Sequence, residues 1–238
     1  MAPVEDAVIG ATLPHLPKVV QAMIQLQRLT GMRPGEVCTI RPDDVDRTSE
    51  VWIYRPAEHK TQHRDRTRVV YIGPRAQEVL RPYLSRPATS YCFSPAEAAQ
   101  EVRDRRHAQR KTPAGQGNEI GANRKRKPVR APGERYDVAS YRRAIWRACE
   151  RAFDMPEEWR VIPPDANDAS ELRERASQWR DANCWNPNQI RHTAATAIRQ
   201  EAGLEAVQAA LGHARIDTSE IYAEKSATLA QDVARRLG

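Results

Sequence analysis

The sequence predicts a mainly α-helical protein carrying a small three-stranded antiparallel β-sheet. Three observations point there. Apolar residues recur at helical spacing over residues 17–29, over 138–152 and again from 187 onward. Only short runs, 51–54, 66–72 and 90–93, have the β-branched and aromatic character of strands. The chain has 238 residues, 40% of them hydrophobic and 29% charged, which is enough apolar material for a core and too much for wholesale disorder.

Over 17–29, Val20, Met23, Ile24, Gln27 and Leu29 follow a helical rhythm that Thr30 and Gly31 end. Pro34 opens a short second helix, because a missing N–H is no loss in a first turn. Residues 51–54 and 66–72 form a β-hairpin, with the polar stretch between them as a long tip, and 90–93 supplies the third strand. Gly73 and Pro74 close the hairpin, and 75–84 reads as a helix. The region from 101 to 135 is rich in Arg and Lys and punctuated by Gly and Pro; its first part extends a helix and the rest is a loop. Helical patterning resumes over 138–152 through Tyr141, Ile145, Ala148 and Cys149. Residues 154–184 are polar with scattered tryptophans, an irregular insert holding one helix near 169–180. From Pro187 a helix runs through Ile190, Ala194, Ala197 and Ile198, Gly203 breaks it, and the next one ends on Gly212. The last helix, over 226–237, sets Leu229, Val233 and Leu237 on one side. Residues 1–238 are therefore expected to form one domain with inserts near 97–137 and 154–185.

Charge narrows the choice of partner. Lys and Arg number 38 against 31 Asp and Glu, a formal charge of +7. A basic protein suits a polyanion, most commonly nucleic acid; the alternative is a merely arginine-rich composition. There is no apolar run long enough for a transmembrane helix, and the first residues lack the basic start and apolar stretch of a secretory leader. The 4 cysteines, Cys38, Cys92, Cys149 and Cys184, are far apart and show no Cys-x-x-Cys spacing. That argues against a zinc cluster or a disulfide scaffold and for a cytoplasmic setting.

Three separated motifs carry the chemistry. The first is Thr30-Gly31-Met32-Arg33-Pro34-Gly35-Glu36, the second Asn188-Gln189-Ile190-Arg191-His192-Thr193, and the third Leu211-Gly212-His213, followed by Tyr222. Lys60 lies at the tip of the expected hairpin, with Arg64, Arg66 and Arg68 close enough to leave the register there open. In order and spacing these motifs resemble the catalytic domain of the tyrosine recombinases, also called the phage integrase family. The resemblance runs from about residue 12 to the end, apart from the two inserts, and implies that family's DNA breaking-rejoining catalytic fold.

The residue types suit that chemistry. Attack on a phosphodiester builds negative charge on the non-bridging oxygens, and preorganised cationic donors aimed there supply most of the catalysis. Arg33 and Arg191 fit, since a guanidinium binds two phosphate oxygens at once and stays charged. The resemblance implies that His213 donates to the same oxygens and that Tyr222 is the nucleophile, forming a 3′-phosphotyrosyl link. It makes Lys60 the general acid for the leaving 5′-oxygen. Glu36 is expected to hold Arg33 or its helix in place, and His192 to be a packed or supporting histidine. The segment with Arg124, Lys125, Arg126, Lys127 and Arg130 is either a DNA-backbone contact or a solvated linker. No metal and no cofactor is implied, and the sequence has no clustered carboxylates of the two-metal nuclease kind.

Two features depart from the family pattern. Asn188 stands where histidine is usual; it can donate a hydrogen bond to a phosphoryl oxygen but cannot exchange a proton near neutral pH. Arg33 comes only 33 residues into the chain, so the helical core-binding domain that usually precedes the catalytic one is expected to be absent. The expected partner is double-stranded DNA, with a DNA-dependent homo-oligomer formed through the C-terminal helix. The expected setting is the nucleoid of a prokaryote or a mobile element. Two other functions fit less of the sequence: DNA relaxation of the type IB topoisomerase kind, and a non-catalytic DNA-binding module.

Overall fold

The computed structural model describes residues 2–57, 68–112, 132–163, 168–212 and 220–238, the last of these with side chains from 227 onward. Ten α-helices and three strands follow one another among them. The helices are α1 (Asp6–Thr12), α2 (Lys18–Thr30), α3 (Pro34–Thr39), α4 (Pro74–Leu80), α5 (Pro95–Ala108), α6 (Val138–Ala152), α7 (Glu157–Arg160), α8 (Ala169–Asn183), α9 (Pro187–Leu211) and α10 (Glu220–Leu237). The strands are β1 (Val45–Asp46), β2 (Trp52–Tyr54) and β3 (Val70–Ile72), in sheet order β1-β2-β3 and antiparallel throughout.

α2 is the hub. Its Val19, Val20, Met23, Ile24 and Leu26 are buried, and it packs against α3, α4, α5, α9 and β3. A buried polar pin crosses it: Gln27 donates from Nε2 to the Pro187 carbonyl (2.9 Å) and accepts from the Tyr141 hydroxyl at 3.2 Å. The buried side chains of Gln27 and Tyr141 thus satisfy one another, and the first turn of α9 is set against α2 and α6. The sheet is tied to α3 by the Tyr54 hydroxyl, which donates to the Glu36 carbonyl at 2.9 Å.

A second apolar cluster joins α9 to α10. Ile198, Ala206, Val207, Leu211 and Val233 are buried in it, with Leu229 and Leu237 packed alongside. The stripe expected on the last helix therefore packs within its own chain. At its far end α10 is latched to α4: Ala76 N donates to the Gly238 carbonyl at 3.0 Å, and Arg75 reaches the Leu237 carbonyl at 3.3 Å. Gly73 makes this possible by having no side chain, for a Cβ there would lie 1.7 Å from the Ala234 carbonyl oxygen.

The mainly helical architecture with its three-stranded antiparallel sheet is the one expected, but the third strand is not. Residues 90–93 are irregular, held by Cys92 N donating to the Ile40 carbonyl at 2.9 Å, and β1 at Val45–Asp46 pairs with β2 instead. α1 was not anticipated, and α10 begins at Glu220, ahead of the expected 226. The insert over 154–184 holds α8 as expected and the short α7 besides. The break at Gly203 is present, with φ +83° inside α9.

Candidate active site

Glu36 organises the site. It is the third residue of α3 and only 4% exposed. Its Oε2 accepts from the backbone N of Arg33 at 2.7 Å, which fills one of the free donors at a helix start. Its Oε1 accepts from Arg33 Nη1 at 2.8 Å and from Arg68 Nε at 3.1 Å, and Arg68 Nη2 lies 3.5 Å from Oε2. Burial pushes the Glu36 carboxyl up, but the Arg68 charge and the hydrogen bonds from Arg33 and Arg68 outweigh it and hold the group below its usual range.

Arg191 is seated differently. It donates from Nη1 to the Gly31 carbonyl at 2.6 Å and from Nη2 to the Leu211 carbonyl at 2.7 Å. These carbonyls belong to the C-terminal ends of α2 and α9, where unpaired acceptors and the negative helix pole favour a cation. Burial lowers the Arg191 pKa, the charges of Arg68 and Arg33 lower it further, and Glu36 opposes them; it comes to about 10. The group is charged at neutral pH yet sits in a field that would welcome an anion.

Both helix ends depend on glycine. Gly31 and Gly212 have φ +63°, the left-handed cap that side chains resist. Neither has room: a Cβ on Gly31 would come 2.3 Å from Leu211 Cδ2, and one on Gly212 would come 2.6 Å from Arg68 Nη1. So the first motif, the second and the beginning of the third meet at one point, though 30 to 212 spans most of the chain.

Not every expected residue falls in this cluster. Asn188 is exposed on the first turn of α9, one helical turn before Arg191. His192, expected to be a packed or supporting histidine, is exposed and therefore not packed. Ile190, Ala194 and Ile198 occupy the buried face of α9, and His192 lies on the opposite side. Tyr222 belongs to the first turn of α10, of which only the backbone is described. Lys60, His213, Arg124, Lys125, Arg126, Lys127 and Arg130 lie outside the described residues. Among the described residues no group of three or more His, Cys, Asp or Glu converges as a metal site would need.

Arg68 is the site residue that motif reading missed. Its side chain is 4% exposed. Strand parity carried the signal: Val70 and Ile72 face the core, and residue 68 shares their side of the strand. A buried arginine needs an acid, and Glu36 is that acid.

Residues 163–228 match the phage integrase family model, a span that contains Asn188, Arg191, His213 and Tyr222. That span is similar to the phage integrase family. The family that the motifs resemble is the one matched, and the motif around Arg33 lies outside the matched span but meets it in space where Arg191 donates to the Gly31 carbonyl. No curated protein matches the chain. Among solved structures, it is similar to the XerH site-specific recombinase bound to its difH substrate in a pre-cleavage complex. The identity is 15% and the TM-score 0.45, over 96% of this chain and 54% of that one. The chain thus spans about half the length of the XerH chain.

Proposed function

We propose that this integrase-family chain acts as a site-specific DNA recombinase that cuts and rejoins strands by transesterification, without metal or nucleotide. The observation that carries this is the arginine cluster. Among the described residues Arg33, Arg68 and Arg191 gather around one carboxylate, and Arg191 is held only by helix-end carbonyls. Such a site is strongly positive, preorganised and partly exposed at Arg33, which suits a phosphodiester in transit to its transition state.

In this mechanism the Tyr222 phenolic oxygen attacks the scissile phosphorus. A 3′-phosphotyrosyl bond forms and the bond to the 5′-oxygen breaks, so the phosphodiester energy is kept for rejoining. Lys60 gives a proton to the leaving 5′-oxygen. The tyrosine proton goes to His213 or to water, since Asn188 can donate a hydrogen bond but cannot take a proton. Arg33 and Arg191 hold the two non-bridging oxygens as their charge grows. Attack by a new 5′-hydroxyl reverses the steps on a different strand. On DNA with paired sites the chain would assemble through α10, which requires that helix to exchange the cis contacts of Val233 and its neighbours for those of another copy.

A duplex nicked close to the cleavage point, so that the released 5′ fragment diffuses away, is the test. Wild-type protein should accumulate a covalent adduct that survives denaturing electrophoresis, and Tyr222→Phe should form none while binding DNA near normally. Retention of DNA without any adduct from the wild type would make the chain a binding module. Relaxation of supercoils lacking paired sites would make it a topoisomerase.

A further inference from the structure

Arg68 touches two of the three motifs and electrostatically influences the other. Nε and Nη2 face the two oxygens of Glu36, whose other contacts are the backbone and guanidinium of Arg33. Its Nη1 lies where a side chain on Gly212 would be, directly before His213 and beside the Leu211 carbonyl that seats Arg191. β3, which follows Arg68 in the chain, is in contact with α9. A lysine has one point-like ammonium and cannot span both partners; the planar fork of an arginine can. At 4% exposure, the Arg68 side chain is poorly placed to reach DNA itself.

We propose that Arg68 is a positioning residue for the phosphate site, setting the distance between the Arg33 fork and the Leu211–Gly212 helix end on which Arg191 rests. The inference rests on the recombinase reading and assigns to that site a strut from the β-hairpin. Arg68 acts through its neighbours: it keeps Glu36 ionised so that Glu36 can aim Arg33, and it backs the turn that leads into His213. Misplacing a reacting constellation by about 1 Å can lower a rate on the order of a hundredfold, so a strut need not touch substrate to matter. Gly212 then has two reasons to be glycine, its φ of +63° and the Arg68 guanidinium in the space a Cβ would take.

The test compares wild type, Arg68→Lys, Arg68→Met and Gly212→Ala on the nicked duplex, reading single-turnover adduct formation, DNA affinity and thermal melting separately. An adduct from the wild type secures the recombinase reading on its own. The strut predicts that Arg68→Lys melts normally, binds DNA within about threefold of wild type, and forms adduct about ten- to a hundredfold more slowly. Gly212→Ala should reproduce that split. Arg68→Met removes one partner of a buried ion pair and should melt below Arg68→Lys, which keeps the charge; should Arg68→Met fail to fold, Arg68→Lys carries the test.

A purely structural residue would not move a pH profile, and this one should. Among the described residues, the charged and titratable groups facing Glu36 are Arg33, Arg68 and Arg191, with the Tyr54 hydroxyl on its backbone carbonyl. With Arg68 gone, Glu36 protonates at higher pH, and the acid limb of adduct formation moves up with it in Arg68→Met but stays in place in Arg68→Lys. Wild-type rates in both Arg68 variants would overturn the proposal. So would a loss of binding matching the loss of rate, because Arg68 would then be a DNA contact.

Discussion

Replacing Glu36 with Gln changes one oxygen to an amide NH₂ and removes the only carboxylate described at the arginine cluster. The new amide presents donors to guanidinium groups that are themselves donors, so at least one of the bonds at 2.7–3.1 Å is lost. Arg68 is then left buried at 4% exposure without its counter-charge. Removing one partner of a buried pair costs about 3–5 kcal/mol, and the retained amide oxygen argues for the low end, about 3 kcal/mol. For a chain of this size that is a fall in melting temperature of roughly 6–12 °C, at roughly 2–4 °C per kcal/mol. The pH dependence is a second check. The folded Glu36 pKa lies below its ordinary value of 4.5, so its contribution is complete above that value and is lost as pH falls toward the folded one. The gap in melting temperature between wild type and Glu36→Gln should therefore be full at pH 7 and narrow below about pH 4.5. Thermal unfolding followed by circular dichroism over pH 3–8 measures both. A variant melting within a degree of wild type at pH 7, or a gap unchanged in acid, would refute the reasoning.

Arg33→Ala and Arg191→Ala should each slow adduct formation by about 10²–10³ with a much smaller loss of DNA affinity, as measured by quench-flow and filter binding. Lys60→Ala should regain rate on a substrate whose bridging 5′-oxygen is sulfur, because a thiolate leaves without an acid; equal impairment on both substrates would point to another acid. Neutralising Lys125, Arg126 and Lys127 should weaken binding evenly across sequences and flatten the plot of log K against log salt by about 0.9 per lost contact. Gly73→Ala should destabilise the fold by about 1–3 kcal/mol, read from chemical denaturation, since backbone must move to admit the methyl group.

The legible parts of the fold are those where a pattern repeats. α2, α6 and α9 each turn several times with one apolar face, and their boundaries follow from Pro, Gly and capping residues. β1 has two residues and no pattern of its own; it is a strand because Val45 and Asp46 lie opposite Tyr54 and Ile53. The segment at 90–93 has strand-like residues for a different reason, because Cys92 and Phe93 are core. α1 buries only Ile9 and Thr12, too few for periodicity, and it depends on packing against α6. At the candidate site, Arg33, Glu36 and Arg191 were legible because they fall in motifs that resemble those of the tyrosine recombinases. Arg68 was not, because a charged residue near a hairpin tip reads as surface until its acid, 32 positions away, is brought beside it.

The latch at the end of α10 has a mechanical consequence. The helix is gripped near Leu237 and Gly238 by α4, while Tyr222 belongs to its opposite end, about 22 Å away at 1.5 Å per residue. A rod clamped this way turns angle into reach: about 5° of tilt at the clamp carries the tip about 2 Å, from a rod of that length. In-line attack tolerates little error of that size. In the proposed mechanism, where Tyr222 arrives is thus adjustable from Gly73, Arg75 and Ala234, at the opposite end of the helix, without altering Arg33, Arg68 or Arg191.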